Sequence, residues 1–157
     1  MFIRYLAVLA ITAFVSVLAV PAFAVDGLIT RPSAHSVDAT IERFEAAAKK
    51  RGFIVFARLD HSAAAAALGL KMPRSTVIVF GNPRLGTPVF IKTPSVAIDL
   101  PLKAMVWEDA GGKVFLSYNS AEFIHGTVYA RHGIPGQKSA SEQLENAFTA
   151  IADEAVQ

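Results

Sequence analysis

The sequence predicts a single domain of the α+β class, and three observations carry that reading. Five segments, 27–31, 53–59, 75–80, 102–108 and 113–119, have the alternating or continuously apolar pattern of strands. Segments with helical spacing and recognisable caps lie between and after them. There is no cysteine in the chain, so the core holds without crosslinks, and the length past the first two dozen residues buries about two thirds of the surface of its unfolded chain.

Those first residues stand apart. Arg4 gives a basic start, Tyr5 to Val20 run without a charge, and Pro21-Ala22-Phe23-Ala24 ends on a small-x-small tripeptide. This is the layout of a secretory signal peptide, residues 1–24, with cleavage expected after Ala24. The alternative is an uncleaved anchor, but the run before Pro21 is shorter than the roughly 20 apolar residues a spanning helix needs. The expectation is a periplasmic or secreted protein whose residues 25–157 form one domain, with no membrane contact once the leader is gone.

In that domain Gly27 to Arg31 start as a strand that Pro32 and Ser33 end. Ser36 reads as an N-cap with Asp38 in the first turn; Val37, Ile41, Phe44 and Ala48 recur at helical spacing until Gly52 closes the helix. Phe53 to Leu59 follow as a strand almost without a loop. Asp60-His61-Ser62 and five alanines make a short second helix, capped by Asp60 or Ser62 and closed by Gly69, since alanine is the best helix former. Ser75 to Phe80 are nearly all apolar, which suits a central strand covered on both faces or a strand under a helix.

Gly81-Asn82-Pro83 stops that strand. Pro88, Pro94 and Pro101 then forbid one long helix, leaving short helical turns at 87–92 and 95–100. Asp109-Ala110-Gly111-Gly112 is turn chemistry between two alternating strands, hence a hairpin. Lys103, Met105 and Trp107 share one of its faces; Leu102, Ala104, Val106 and Glu108 share the other. Ser120 caps a helix running to about Arg131, weakened at Gly126. Ser139 and Glu142 read as a capping box for a last helix with the apolar stripe Leu144, Phe148, Ile151 and Ala155.

Composition excludes several functions. Without cysteine there is no thiol redox chemistry, no covalent haem attachment and no cysteine-ligated metal. The 15 Lys and Arg of the full chain, of which Arg4 leaves with the leader, nearly balance 13 Asp and Glu. No basic stripe speaks for nucleic acid, and Lys49-Lys50-Arg51 suit the cationic last turn of a helix. His125 and His132, seven apart, are separated by about 10.5 Å of rise on a continuous helix, too far to hold one ion within about 2 Å of both. His35 precedes the first helix and is expected to be solvated. No metal site and no cofactor are expected: there is no Gly-x-Ser-x-Gly elbow, and Gly81-Asn82-Pro83 lacks the glycine spacing of a phosphate-binding turn.

Asp60-His61, Pro73 to Thr76, Phe80-Gly81-Asn82-Pro83, Gly86-Thr87-Pro88, Asp99-Leu100-Pro101-Leu102-Lys103, Trp107-Glu108-Asp109 and Arg131-His132-Gly133, in this order, resemble the domain of unknown function 302 family over nearly the whole chain past the leader. The resemblance implies a compact α+β fold of the TBP-like kind, with helices packed on a mostly antiparallel sheet of about five strands, and a possible homodimer. The helix between Asn119 and Arg131 is about one turn longer than the family pattern, so nothing is carried over to His125.

The polar residues at motif positions, His61, Asn82, Lys103, Glu108 and His132, are the candidate ligand-binding set. Gathered around one pocket, His61 or Glu108 can act as acid or base and Lys103 as an electrostatic anchor. A structural reading is simpler: Asp60 caps a helix, Asn82 fixes a turn, Glu108 and Lys103 form sheet-edge ion pairs, and His132 bonds a helix-end carbonyl. Trp107, Phe115 and Tyr118 can line an apolar pocket or belong to a core or dimer interface. Three functions are compatible with this: a non-catalytic ligand-binding or accessory module for a small apolar or amphipathic ligand, which the sequence favours; a small enzyme using His61 and Glu108; and a structural homodimerisation domain. Protein recovered from the periplasm of its host is expected to begin at Val25, which intact-mass measurement and N-terminal sequencing check.

Overall fold

The computed structural model describes residues 26–157, so the expected leader lies outside the described residues. Five strands, β1 (Leu28–Pro32), β2 (Ile54–Asp60), β3 (Ser75–Gly81), β4 (Leu102–Glu108) and β5 (Val114–Asn119), form one open antiparallel sheet in the order β1-β5-β4-β3-β2. Helices α1 (Val37–Lys50) and α6 (Lys138–Val156) pack on one face of it. The fold is α+β, as the sequence predicts.

Period-two alternation decides which face is covered. Ile78, Phe80, Ala104, Val106, Leu116 and Tyr118 point at the helices and are buried, whereas Val77, Val79, Met105, Trp107 and Phe115 on the other face are half-buried. Continuous apolarity in β3 therefore reflects a strand under helices, with its second face left partly open. Trp107 and Phe115, cross-strand partners, stack there at 4.8 Å. Tyr118 belongs instead to the core, edge-on to Phe148 at 5.7 Å, so the three aromatics do not line a common pocket.

Caps and ion pairs place the helices. Ser36 accepts from Ala39 N and opens α1, whose buried stripe includes Val37, Ile41, Phe44 and Ala48. Asp60, not Ser62, caps the short α2 (His61–Ala67) through Ala63 N. Arg31 with Asp153, and Lys50 and Arg51 with Glu154, tie β1 and α1 to the end of α6. Gly27, at φ +73°, passes so close to Phe123 that an added Cβ would lie 2.5 Å from the ring, and its carbonyl accepts from Ser120 N. His35 is not simply solvated: its Nε2 is enclosed without a hydrogen-bond partner.

Three helical segments depart from the sequence reading. Helix α3 (Pro83–Lys92) starts four residues earlier than the turn expected at Thr87, because Asn82 Oδ1 accepts from Arg84 N and Pro83 takes the N1 position, where a missing N–H costs nothing. Pro88 is tolerated inside it, and a 3-10 turn (Pro94–Ile98) follows. The rod after Ser120 runs to Arg131 as expected, but as α4 (Ala121–Phe123), a π-helical turn (Ile124–Val128) and α5 (Tyr129–Arg131). Helix α6 begins at Lys138 with Gln137 in the cap position and no side-chain cap bond, so Ser139 lies inside the helix and makes no capping box.

Phe80 is the ring all of this meets on. It packs edge-on against Phe44 of α1 at 5.1 Å and tilted against Phe53 at 5.7 Å and Phe148 of α6 at 6.1 Å, and is 1% exposed. Phe80→Ala is expected to cost about 3–5 kcal/mol of stability, read as the shift in urea midpoint.

Candidate functional site

Where β2 begins and β3 ends, beside α3, the chain leaves a cavity of about 320 Å³. Phe53 and Phe56 close one side, Leu85 and Phe90 of α3 a second, and Tyr129 of α5 with Leu144 of α6 a third. Leu100 and Pro101, joined by a cis peptide bond, and Leu102 complete it. The lining is mainly apolar, with Asn82, Thr87 and His125 as polar side chains along it.

Local irregularities build this wall. The β2–β3 register slips between Val55 and Ala57, a bulge that leaves Phe56 without a cross-strand partner and re-aims its ring, as bulges beside sites do. Gly81 is needed beneath it: a Cβ there would stand 3.2 Å from the Phe56 ring and 3.7 Å from Pro101. On the other side the π-helical turn coincides with Gly126, Thr127 and Val128, residues of low helix propensity, and such turns recur at functional sites. It sets the His125 and Tyr129 rings 4.7 Å apart. The rod is anchored by Ser120, which accepts from Phe123 N, and by Glu145 of α6, which accepts from Ala121 N.

Burial pushes the His125 imidazole below its usual range and the Tyr129 phenol above its own. Both are therefore neutral at pH 7. The His125 Nδ1 atom is enclosed with no hydrogen-bond partner. An apolar hollow with a neutral imidazole and a neutral phenol in its wall can hold an apolar body and make a small number of orienting hydrogen bonds.

A second cavity of about 310 Å³ shares Pro101, Leu102 and Ile124 with the first. Lys103, Asp99, Arg131 and Thr127 give it a more polar lining, with Phe148 at its floor. Lys103 Nζ donates to the carbonyls of Asp99 and Pro101 at 3.1 and 3.2 Å. Beside it His132, with its side chain 8% exposed, holds Asp99 Oδ2 at 2.6 Å through Nε2 and Ser95 Oγ at 2.9 Å through Nδ1. Arg131 reaches the same carboxylate at 3.1 Å. The His132 hydrogen bond first, and the Arg131 charge with it, hold the Asp99 carboxyl below the usual carboxylate range.

The sequence candidates are thus dispersed over four places. Asn82 lines the apolar cavity while capping α3. Lys103 lines the polar one, bonded to carbonyls rather than to Glu108, from which the strand alternation separates it. His132 bonds a carboxylate and a hydroxyl rather than a helix-end carbonyl. His61, exposed at the start of α2, and Glu108, at the end of β4, line neither cavity; β3 runs between β4 and the β2 strand that His61 follows, about two strand spacings of 4.8 Å. Phe56, Ser95, His125 and Tyr129 carry no sequence motif that marks them, and Asp99, although it opens the Asp99-Leu100-Pro101-Leu102-Lys103 segment, was not among the candidates; a further signal was Asn82-Pro83 as a cap and N1 pair, which would have placed α3 against the sheet end.

A family model described as Domain of unknown function DUF302 matches residues 29–151. The chain belongs to the DUF302 family. The crystal structure of a conserved DUF302 protein from Bacillus stearothermophilus superposes with a TM-score of 0.70 at 20% identity, covering 82% of this chain and 98% of that one. Among curated proteins, the chain is 45% identical over 98 residues to a protein named fluoride-specific ion channel FluC 1 of Brucella suis, and likewise to one of that name from Brucella abortus. The aligned stretch takes in 62% of this chain but 39% and 36% of those two, so this DUF302 chain spans well under half the length of these curated relatives.

His125 ties the stability of this DUF302 domain to pH. Its folded pKa lies below the unfolded one, so the unfolded chain binds the extra proton first, and stability is complete above the unfolded value of about 6.5 and is lost as pH falls towards the folded value. The melting temperature is expected to fall between pH 7 and 5, a window above the carboxylate titrations, and His125→Gln is expected to remove part of that fall in a thermal scan across pH.

Proposed function

We propose that this chain is an exported binding module that takes a small apolar or amphipathic ligand into the cavity between α3, the π-helical turn and α6. The observation that carries the reading is the cavity's own makeup: about 320 Å³, at the small end of ligand sites, walled by Phe56, Leu85, Phe90 and Leu144, with His125 and Tyr129 held neutral in the same wall. Apolar burial supplies the affinity, at about 25 cal/mol for each Å² removed from water. The imidazole, the phenol and Asn82 supply orientation.

Export rests on the leader pattern of residues 1–24. An accessory role, beside rather than within a transport protein, fits the partial likeness to proteins named as fluoride-specific ion channels, most of whose length lies outside the alignment. Among the described residues no helix is long and apolar enough to cross a membrane, so ion conduction is not part of the proposal.

The test is titration of the full chain with the neutral fluorescent dye N-phenyl-1-naphthylamine, with short-chain alcohols and carboxylic acids as competitors. Saturable binding is expected, weakened at least about tenfold, or 1.4 kcal/mol, by Leu144→Arg, which puts a charge into the wall. Dye fluorescence that does not saturate, or that is indifferent to Leu144→Arg in a folded variant, removes the reading.

A further inference from the structure

Ser95, His132 and Asp99 meet as hydroxyl, imidazole and carboxylate. Ser95 lies in the 3-10 turn, Asp99 just past its end, and His132 just past α5. The distances are 2.9 Å from Ser95 Oγ to His132 Nδ1 and 2.6 Å from His132 Nε2 to Asp99 Oδ2.

The proton positions follow from valence. An ionised carboxylate only accepts, so the Asp99 contact requires the proton on Nε2. In the neutral ring Nδ1 then offers a lone pair, and the Ser95 hydroxyl is the donor to it. A nucleophile hydrogen-bonded to a base, itself oriented by a third group, is the signature of covalent catalysis, and it is recognised by roles and geometry rather than by which ring nitrogen serves. Here the two nitrogens exchange the places they take in serine proteases.

The surroundings suit a reactive hydroxyl. Ser95 is exposed, while the His132 ring is held almost fully inside. Asp99 and Arg131, though not Ser95 or His132 themselves, line the neighbouring polar cavity, and Lys103 puts a second cation in the same corner, favourable to an oxyanion.

We propose that Ser95 is a nucleophile for acyl transfer from small carboxylic esters, with His132 as its general base and Asp99 as the residue that positions the ring. Ser95 Oγ bonds to the ester carbonyl carbon as its proton passes to His132 Nδ1. Collapse of the tetrahedral adduct breaks the bond to the alkoxy oxygen, which takes that proton and leaves as the alcohol. A water molecule, giving a proton to the same nitrogen, then adds to the acyl-Ser95 ester; the carboxylic acid is released and the proton returns to Ser95 Oγ. The site stands apart from the apolar cavity and does not depend on its having a ligand.

The test uses the full chain with a fluorophosphonate probe, intact mass and peptide mapping, beside hydrolysis of phenyl acetate. One adduct, on Ser95, is expected. Ser95→Ala abolishes it in a variant that remains folded, and His132→Gln slows labelling and ester hydrolysis at least about a hundredfold. If His132→Gln loses its fold, Asp99→Asn, which disturbs the tautomer, supplies the same comparison. No adduct on Ser95, or a labelling rate unaffected by loss of the base or of its orienting carboxylate, overturns the proposal.

Discussion

The burial of Phe80 is the interaction on which the rest of the molecule depends. Its ring lies where β3 passes under both α1 and α6, and its neighbours Phe44, Phe53 and Phe148 come from three separate parts of the chain. A one-residue slip of β3 would turn every core side chain to the other face of the sheet, so the contacts of this ring also fix the strand's register. Aromatic pairs at these distances prefer edge-on and tilted geometries, which add to what area burial gives. Two of the neighbours also reach beyond the core, since Phe53 lines the apolar cavity and Phe148 the polar one. The core and the floor of both cavities are therefore one packed unit.

Around that unit the sheet end is irregular. The bulge that frees Phe56, the Gly81 that makes room for it, the proline-opened α3 and the π-helical turn each break a regular pattern, and all four border the same hollow. The bulge, the glycine and the π-helical turn each cost local hydrogen bonding or entropy, and a fold retains such costs chiefly where a site needs them. The polar corner differs in kind. It is held by side-chain hydrogen bonds among Ser95, Asp99, Arg131 and His132 that join the 3-10 turn to the end of α5.

The regular elements were legible because their signals are local. Ser36 and Asp60 cap the helices they precede, the alternation in 102–108 and 113–119 matches the burial of β4 and β5, and the glycine-rich turn between them is a hairpin turn. The capping box at Ser139 failed because α6 gains its stability from the buried face of Phe148, Ile151 and Ala155, and tertiary packing extends the helix past its local signal. The candidate residues sit at motif positions, and the sheet disperses them: Asn82 and Lys103 sit on opposite sides of the wall that the cavities share, while His61 opens α2 just past the end of β2 and Glu108 ends β4, with β3 between those strands.

Residues acting within a few positions of one another leave a trace in the order of amino acids, since caps, turns and alternation are short-range sterics and hydrogen bonding. That order alone determined the α+β class, the five strands, the paired strands around Gly111-Gly112 and the DUF302 resemblance. Only tertiary structure decided which side chains share a hollow, because Phe56, His125 and Leu144 are brought together by register, a bulge and an extra residue in a helical turn. The same holds for Ser95 and His132: 37 positions separate them in the chain, and a loop, a strand hairpin and a helix had to fold before one hydroxyl met one imidazole.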